Sequence, residues 1–341
     1  MRSTRNQGGM VGRWRRRSWM LLVGIVVLVG AGCADGEGPV GTTPTSPPTT
    51  ARELGGNSRR SVAGPQRIIV VVEENHSFDQ ITGSPEAPFF SRLASQGTQL
   101  TAYFAITHPS LPNYIAMISG DTQGISSDCG DCNVDAPNVV DELEHAGISW
   151  KAYMEDLPAP CSDAHRVGPY AKKHDPFMYF ASIRDDPVRC AKVVPAGQLD
   201  ADLRAGRLPR FVFITPSLDH DMHGAGEGGN DRALIRAGDD WLRALYEKLA
   251  GSAAWQDDTR LVVTWDEGAA GGGLTGCCGG LATGGHIPTV VVGPRVPAGR
   301  DAADYDHYAL LRSIEAAFHL RFLGHAGDSA AAAIPALASG P

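Results

Sequence analysis

Arg67-Ile-Ile-Val-Val-Val-Glu-Glu-Asn-His-Ser-Phe-Asp79 is the stretch that decides the fold. Its first part is apolar without alternation. Such a run needs cover on both faces, which is the pattern of a central strand in a parallel sheet. Phe211-Val-Phe-Ile-Thr215, Leu261-Val-Val-Thr-Trp265 and Thr289-Val-Val-Val-Gly293 look alike. Between these runs lie amphipathic stretches at roughly 88–96, 138–147, 231–250 and 307–320. The third of them sets Leu234, Trp241, Leu245 and Leu249 on one side. Strands alternating with helices predict an α/β fold with a mostly parallel central sheet flanked by helices.

Polar clusters follow the runs. Glu73-Glu-Asn-His76 follows the first, Asp219-His-Asp-Met-His223 the second and Asp266-Glu267 the third. In open α/β sheets, ligands bind outside the carboxyl ends of the strands. Three acidic or histidine clusters at three strand ends therefore predict one shared site, although each by itself reads equally well as a solvated loop.

Composition bounds the partners. The chain has 341 residues, 43% apolar and 20% charged, which suits an ordered domain with a sizeable core. Its formal net charge is −8. Arg2, Arg5, Arg13, Arg15, Arg16 and Arg17 all precede the first acid, Asp35. Without those six arginines, 24 basic residues face 38 acidic ones, a balance of −14. That disfavours a nucleic-acid partner, whose affinity would rest on neutralising phosphates.

The arginine-rich start leads into an apolar run of 14 residues from Trp19 to Gly32, then Cys33. This length suits an export signal; a membrane-spanning helix needs about 20 residues. Small residues ending at a cysteine predict a lipoprotein-type signal over 1–33, with lipid on Cys33. Gly30 stands where a leucine is usual. Ordinary secretion and an uncleaved anchor are the alternatives. Residues 34–66 are rich in Gly, Pro, Thr and Ser and read as a disordered linker. The folded domain is expected over 67–325, followed by a flexible Ala-rich tail over 326–341. Beyond Cys33, six cysteines remain: Cys129, Cys132, Cys161, Cys190, Cys277 and Cys278. An even number suits disulfides outside the cytoplasm. Cys129-Gly-Asp-Cys132 also has the spacing of a redox or metal pair, but no second pair of that type accompanies it.

Ser110 stands in Thr107-His-Pro-Ser-Leu-Pro-Asn-Tyr-Ile-Ala-Met-Ile-Ser-Gly120. Serine followed two residues later by proline predicts a helix N-cap. Leu111, Tyr114, Ile115 and Ile118 then repeat at helical spacing, and Gly120 closes the helix. A serine at a helix N-terminus meets amide donors that favour an anion, as an attacking alkoxide requires. A plain helix cap is the bland alternative.

Glu73-Glu-Asn-His-Ser-Phe-Asp79 resembles the Glu-Asn-x-Ser-Phe-Asp signature of the bacterial phosphoesterase family, within the alkaline phosphatase superfamily. That family holds acid phosphatases, phosphatidylinositol 3-phosphate phosphatases and non-specific phospholipases C. Thr107–Tyr114 resembles its nucleophile motif, and Lys173-His-Asp-Pro-Phe177 its Lys-His-x-Pro-Phe element. Asp221-Met-His223, Trp265-Asp-Glu267, Gly285-His286-Ile-Pro and the helix near 308–318 match in order, so that the likeness covers nearly all of 67–323. It implies Glu74, Asn75, Asp266 and Glu267 as metal ligands, and Ser110 as nucleophile and ligand together. His174, His223 and His286 are then expected to hold the phosphoryl oxygens or protonate the leaving group. The oxygen-rich set suits one divalent ion, Mg²⁺, Ca²⁺ or Mn²⁺ rather than Zn²⁺. Glu73 is an alternative to Glu74. His76 and His220 read as orienting residues, with His108 close to the nucleophile.

The reading is thus of an exported or surface-anchored phosphatase acting on phosphomonoesters, phosphoinositides among the candidate substrates, through a phosphoserine. The alternatives are a phospholipase C-type phosphodiesterase and a phosphate-binding lipoprotein without turnover. A sulfatase-like centre would need an arginine in a Cys/Ser-x-Pro-x-Arg context, and Ser110-Leu-Pro-Asn-Tyr has none. Family phospholipases C are typically longer, and the Ala-rich tail offers no basic amphipathic module for a bilayer. Monoesters are therefore expected over diesters. Cys161–Cys190 is the expected bridge, closing a loop around His174. Cys277 and Cys278 are expected to pair elsewhere, with Cys129 and Cys132. The glycine-rich loop of 268–285 is expected to close over the site.

Overall fold

The computed structural model describes residues 67–224, 231–269, 276–280, 282–328 and 332–338. The signal and linker expected over 1–66 lie outside the described residues.

Eight strands form the central sheet: β1 (Arg67–Glu73), β2 (Thr98–Leu100), β3 (Trp150–Met154), β4 (Val193–Pro195), β5 (Phe211–Thr215), β6 (Thr259–Trp265), β7 (Thr289–Val292) and β8 (Gly299–Asp301). Their spatial order is β8-β2-β7-β6-β1-β5-β3-β4. β1 is central, parallel to both β5 and β6, and its residues from Ile68 to Glu73 are buried. That is the cover its unbroken apolar run demands. β7 departs from the parallel expectation, running antiparallel to both β6 and β2. Its four residues are buried on both faces, and such a run carries no information on strand direction.

The longer helices are α1 (Pro88–Gln96), α2 (Ser110–Ser119), α3 (Val139–His145), α4 (Gln198–Arg204), α5 (Asp231–Ala250) and α6 (His307–Phe318). α1 packs with α5, while α2 packs with α6 and α3. α5 buries Ile235, Leu242, Leu245 and Leu249 at helical spacing. Asp239 on the same helix accepts the Phe89 and Phe90 amides at 2.8 Å, tying it to the start of α1. None of the described helices is long and apolar enough to cross a membrane.

The C-terminal residues correct the expectation of a loose tail. Ile334 and Leu337 are fully buried, and the Arg260 guanidinium donates to the Ala336 carbonyl at 3.2 Å. Two apolar residues in an alanine-rich stretch suffice to dock it. The cysteines give a second correction. Cys161–Cys190 forms as expected, but Cys129 pairs with Cys132 and Cys277 with its neighbour Cys278. The two latter pairs are local, each inside its own loop, so neither joins the two loops.

Candidate active site

Three strand ends supply the centre. β1 ends in Glu73, and consecutive strand residues point to opposite faces. Glu74 therefore turns toward α2, where its Oε1 accepts the Ser110 hydroxyl at 2.9 Å. Glu73 lies on the far side. Its carboxyl is pushed well above the usual range by burial, then by Asp221, Glu155 and Asp239. Glu74 is thus the glutamate that meets Ser110. Asn75 adopts a left-handed backbone (φ 53°), a conformation asparagine tolerates better than most residues. This lets its amide donate to Asp266 Oδ1 at 3.0 Å. Asp266, just past β6, accepts the Glu267 amide on the same oxygen at 2.7 Å. His307 Nε2 grips the Asp266 carbonyl at 2.7 Å from the start of α6.

Ser110 is the first helical residue of α2, and Pro109 rather than Ser110 is the N-cap. The reason lies in Asn113. Its Oδ1 accepts the Ile106 and Thr107 amides at 2.9 and 3.0 Å, and its Nδ2 donates to the Thr107 and Pro109 carbonyls. One side chain thereby holds the incoming loop. The Ser110 hydroxyl has no capping duty and lies between Glu74 and the Lys173 ammonium, the latter 3.2 Å away.

Lys173 and Asp128 are the groups that sequence reasoning missed. Lys173 bonds Glu74 Oε1 at 3.0 Å and Asp128 Oδ2 at 3.2 Å, while Asp128 Oδ1 accepts the Leu111 amide. Burial alone would lower the lysine's pKa, but Glu74 and Asp128 outweigh it and raise the pKa, so the ammonium stays charged. Adjacency to His174 was the available signal for Lys173; nothing near Asp128 distinguished it.

His174 Nε2 lies 3.5 Å from Glu74 Oε1, and its Nδ1 lies 3.9 Å from Asp221 Oδ2. His223 Nδ1 contacts Glu74 Oε2. That contact raises the His223 pKa against its partial burial. Burial alone would raise the Glu74 pKa, yet contacts with His174 and His223 and the Lys173 charge hold it well below normal. Asp266 goes the other way. Burial, then the charges of Glu74 and Glu267, push it well up. Burial pushes Asp221 up to about 6. The cluster therefore holds one firmly ionised carboxylate and neighbours that resist ionising beside it.

Glu267 is close by but is bonded to His108, Oε2 to Nδ1, at 2.8 Å. His286 is not brought into the cluster. Its Nε2 meets the Thr101 carbonyl at 3.0 Å, and its ring stacks on Phe78 and Phe104. Those are the contacts of a packed side chain. His76 bonds the Glu74 carbonyl at 3.2 Å and His220 bonds Glu155, as orienting residues would. The ends of the glycine-rich loop brace the centre, since the Gly268 amide bonds the Gly284 carbonyl and the Gly284 amide bonds the Ala105 carbonyl ahead of Ser110. Residues 270–275 and 281, where closure over the site was expected, lie outside the described residues.

The arrangement fits a cation. Ligand atoms of Glu74, His174 and Asp266 lie within 4.8 Å of one another, and all three residues are buried. Asn75 Oδ1, Asp266 Oδ2 and His174 Nε2 are buried without a hydrogen-bond partner. Unpaired buried polar atoms are costly, and those of Asp266 and His174 belong to side chains of this one cluster, so they point to a ligand that completes them. Three oxygen donors and one imidazole suit a divalent metal.

A mostly parallel sheet carries a buried serine, an ammonium and groups able to ligate a metal at its strand ends, and together with the family match below this makes the protein a phosphoric ester hydrolase of alkaline phosphatase architecture. Solved structures share that fold. One is a phosphonate monoester hydrolase of Agrobacterium radiobacter, at TM-score 0.52 and 14% identity, covering 75% of this chain and 74% of that one. Another is an alkaline phosphatase superfamily protein of Vibrio parahaemolyticus, at TM-score 0.50 and 16% identity, covering 74% and 66%. Residues 84–321 match the Phosphoesterase family, and the chain belongs to that family. It is 34% identical over 265 residues to a phosphatidylinositol-3-phosphatase of Mycobacterium tuberculosis, spanning 77% of this chain and 80% of that protein. It is 31% identical over 275 residues to a probable acid phosphatase of Kluyveromyces lactis, spanning 77% of this chain and 61% of that protein. Phospholipase C A of Mycobacterium tuberculosis is 25% identical over 210 residues, spanning 52% of this chain and 38% of that protein.

Proposed function

We propose that the protein is an exported, metal-dependent phosphatase that cleaves phosphomonoesters through a phosphoserine on Ser110. The observation that carries this reading is the Ser110 hydroxyl set between Glu74 and Lys173. Neither neighbour is a good base at neutral pH. Glu74 is held ionised, with a low affinity for protons, and Lys173 is held protonated. Activation of the serine must therefore be electrostatic, by positive charge that stabilises its alkoxide. A divalent cation on Glu74, Asn75 and Asp266, with His174 beside them, would supply that charge and withdraw electrons from the phosphoryl group.

The protein's own residues do the rest. Lys173 faces the developing negative charge at Ser110. Ser110 gives up its hydroxyl proton to solvent as its Oγ forms a bond to phosphorus and the ester P–O bond breaks, and the departing alkoxide takes a proton from His223, whose pKa the contact with Glu74 raises. Water then cleaves the phosphoserine, releasing inorganic phosphate and restoring the hydroxyl. The Asp221 carboxylate accepts the His223 and Gly224 amides at 3.0 and 2.7 Å, which fixes the loop carrying the acid. Three disulfides support an oxidising compartment, and lipid on Cys33 is the proposed anchor.

The test is turnover of matched phosphomonoesters and choline-type phosphodiesters with the divalent cation varied, alongside Ser110→Ala. Monoesters are expected to lead by at least about tenfold in kcat/KM. Ser110→Ala is expected to fold and to lose activity by several orders of magnitude. Retention of more than a tenth of wild-type activity reassigns the nucleophile, and a diester preference moves the protein to the phospholipase C reading.

A further inference from the structure

The centre opens into a cavity of about 370 Å³ lined by Lys173, His223 and Asp128, and also by Arg166 and His165, which the chemistry above leaves unused. Arg166 begins a small hairpin in which Arg166–Val167 pairs with Tyr170–Ala171, so that Arg166 sits opposite Ala171. The hairpin is held in place on several sides. The Lys172 amide bonds the His165 carbonyl and the Leu218 amide bonds the Pro169 carbonyl, each at 3.0 Å. The Tyr170 hydroxyl donates to Asp175 at 3.2 Å. The His165 ring lies so close to Gly130 that a Cβ there would stand 2.5 Å from its Nδ1, so this wall is closely packed.

The neighbouring cations are already engaged: Lys172 with Asp163, and Lys173 with Glu74 and Asp128. Arg166 is exposed, lines the cavity and has no ion pair or side-chain hydrogen bond among the described residues. Cross-strand Cα atoms lie about 5 Å apart and two further residues span at most about 7 Å, so Arg166 stands within about 12 Å of Lys173 along the backbone. The cavity is at the small end of the roughly 300–1,000 Å³ usual for ligand sites, a size for a sugar- or headgroup-like alcohol.

We propose that Arg166 is a specificity-determining residue that binds a second phosphate on the leaving alcohol. The favoured substrates would then be phosphomonoesters of small polyols carrying another phosphate, either free or esterified in a lipid headgroup. This rests on the phosphomonoesterase reading. A planar guanidinium takes two phosphate oxygens at once, which a lysine cannot copy.

The experiment compares fructose 1,6-bisphosphate with fructose 6-phosphate, and short-chain phosphatidylinositol 3-phosphate with inositol 3-phosphate, on the full chain. Arg166→Ala is expected to raise KM at least tenfold for the doubly phosphorylated member of a pair and less than twofold for the other. Arg166→Lys is expected to recover part of the loss. A loss confined to the sugar pair or to the lipid pair identifies the source of the second phosphate. Equal effects on both members overturn the proposal. Calorimetric binding of the same compounds to Ser110→Ala separates this inference from the reading beneath it. If wild type turns over none of them, tenfold weaker bisphosphate binding on adding Arg166→Ala still supports Arg166, and unchanged affinity refutes it.

Discussion

Asp266→Asn should have opposite effects on stability with and without a divalent cation. Asp266 is fully buried, and its Oδ1 holds the Asn75 and Glu267 amides, while Oδ2 has no partner. An asparagine can keep its carbonyl oxygen on those amides and place its NH₂ where Oδ2 was. In the metal-free protein the change removes one of two carboxylates whose oxygens lie within 4.8 Å. At an effective dielectric of 20 that repulsion is roughly 3–4 kcal/mol, part of which Lys173 and proton uptake relieve. The sign with pH follows from the raised Asp266 pKa. Wild type loses stability as pH rises above the unfolded value, so the variant's advantage grows from pH 5 to pH 8. A gain of about 1–3 kcal/mol corresponds to roughly 2–6 °C in Tm for a domain of this size. With cation present, wild type gains about 2.7 kcal/mol at a hundred times its dissociation constant. The variant, lacking the anionic donor, should lose nearly all of that gain. Thermal unfolding followed by circular dichroism, in chelator and in excess Mg²⁺ or Mn²⁺, measures both. Equal destabilisation in the two conditions would refute the reasoning and make Asp266 a structural hydrogen-bond acceptor only.

Lys173→Met should lower kcat/KM for all esters by about 10²–10³, as for loss of a charge facing the transition state, and steady-state kinetics with unchanged values would remove Lys173 from the mechanism. Glu315 on α6 is buried with Oε2 unpaired, and burial pushes its carboxyl up to about 8. Because the folded form binds that proton more tightly than the unfolded one, wild type loses stability as pH rises from about 4.5 toward 8. Glu315→Gln should therefore be near neutral at pH 5 and stabilising by a few kcal/mol (roughly 2–4) at pH 8; urea melts with a pH-independent gap would contradict this. Replacing both Cys161 and Cys190 by serine should cost roughly 3–4 kcal/mol on the chain-entropy model, read from the same melts, and no loss would mean the bridge braces nothing.

The residues legible in advance were those whose signal is local. The run from Arg67 to Val72 declared a central strand because burial on both faces leaves no alternation. The clusters holding Glu74, Asp266 and the Asp221–His223 pair were found because each follows such a run at or near its end, and the family resemblance picked out these residues within them. Helical spacing placed Ser110 at a helix start and the family resemblance gave it a role, with its cap position wrong by one residue because Asn113 bonds back across the loop. What tertiary structure alone decided was pairwise and distant. The direction of β7, the choice of Glu74 over Glu73, the placing of Lys173 against a serine 63 positions earlier, and the separation of His286 from the cluster all depend on which surfaces meet. The self-paired Cys277–Cys278 and the docked segment around Ile334 belong with them. Periodicity and motif order are properties of the chain taken a few residues at a time. Charge pairing and packing depend on distances through space, and those exist only once the chain has folded.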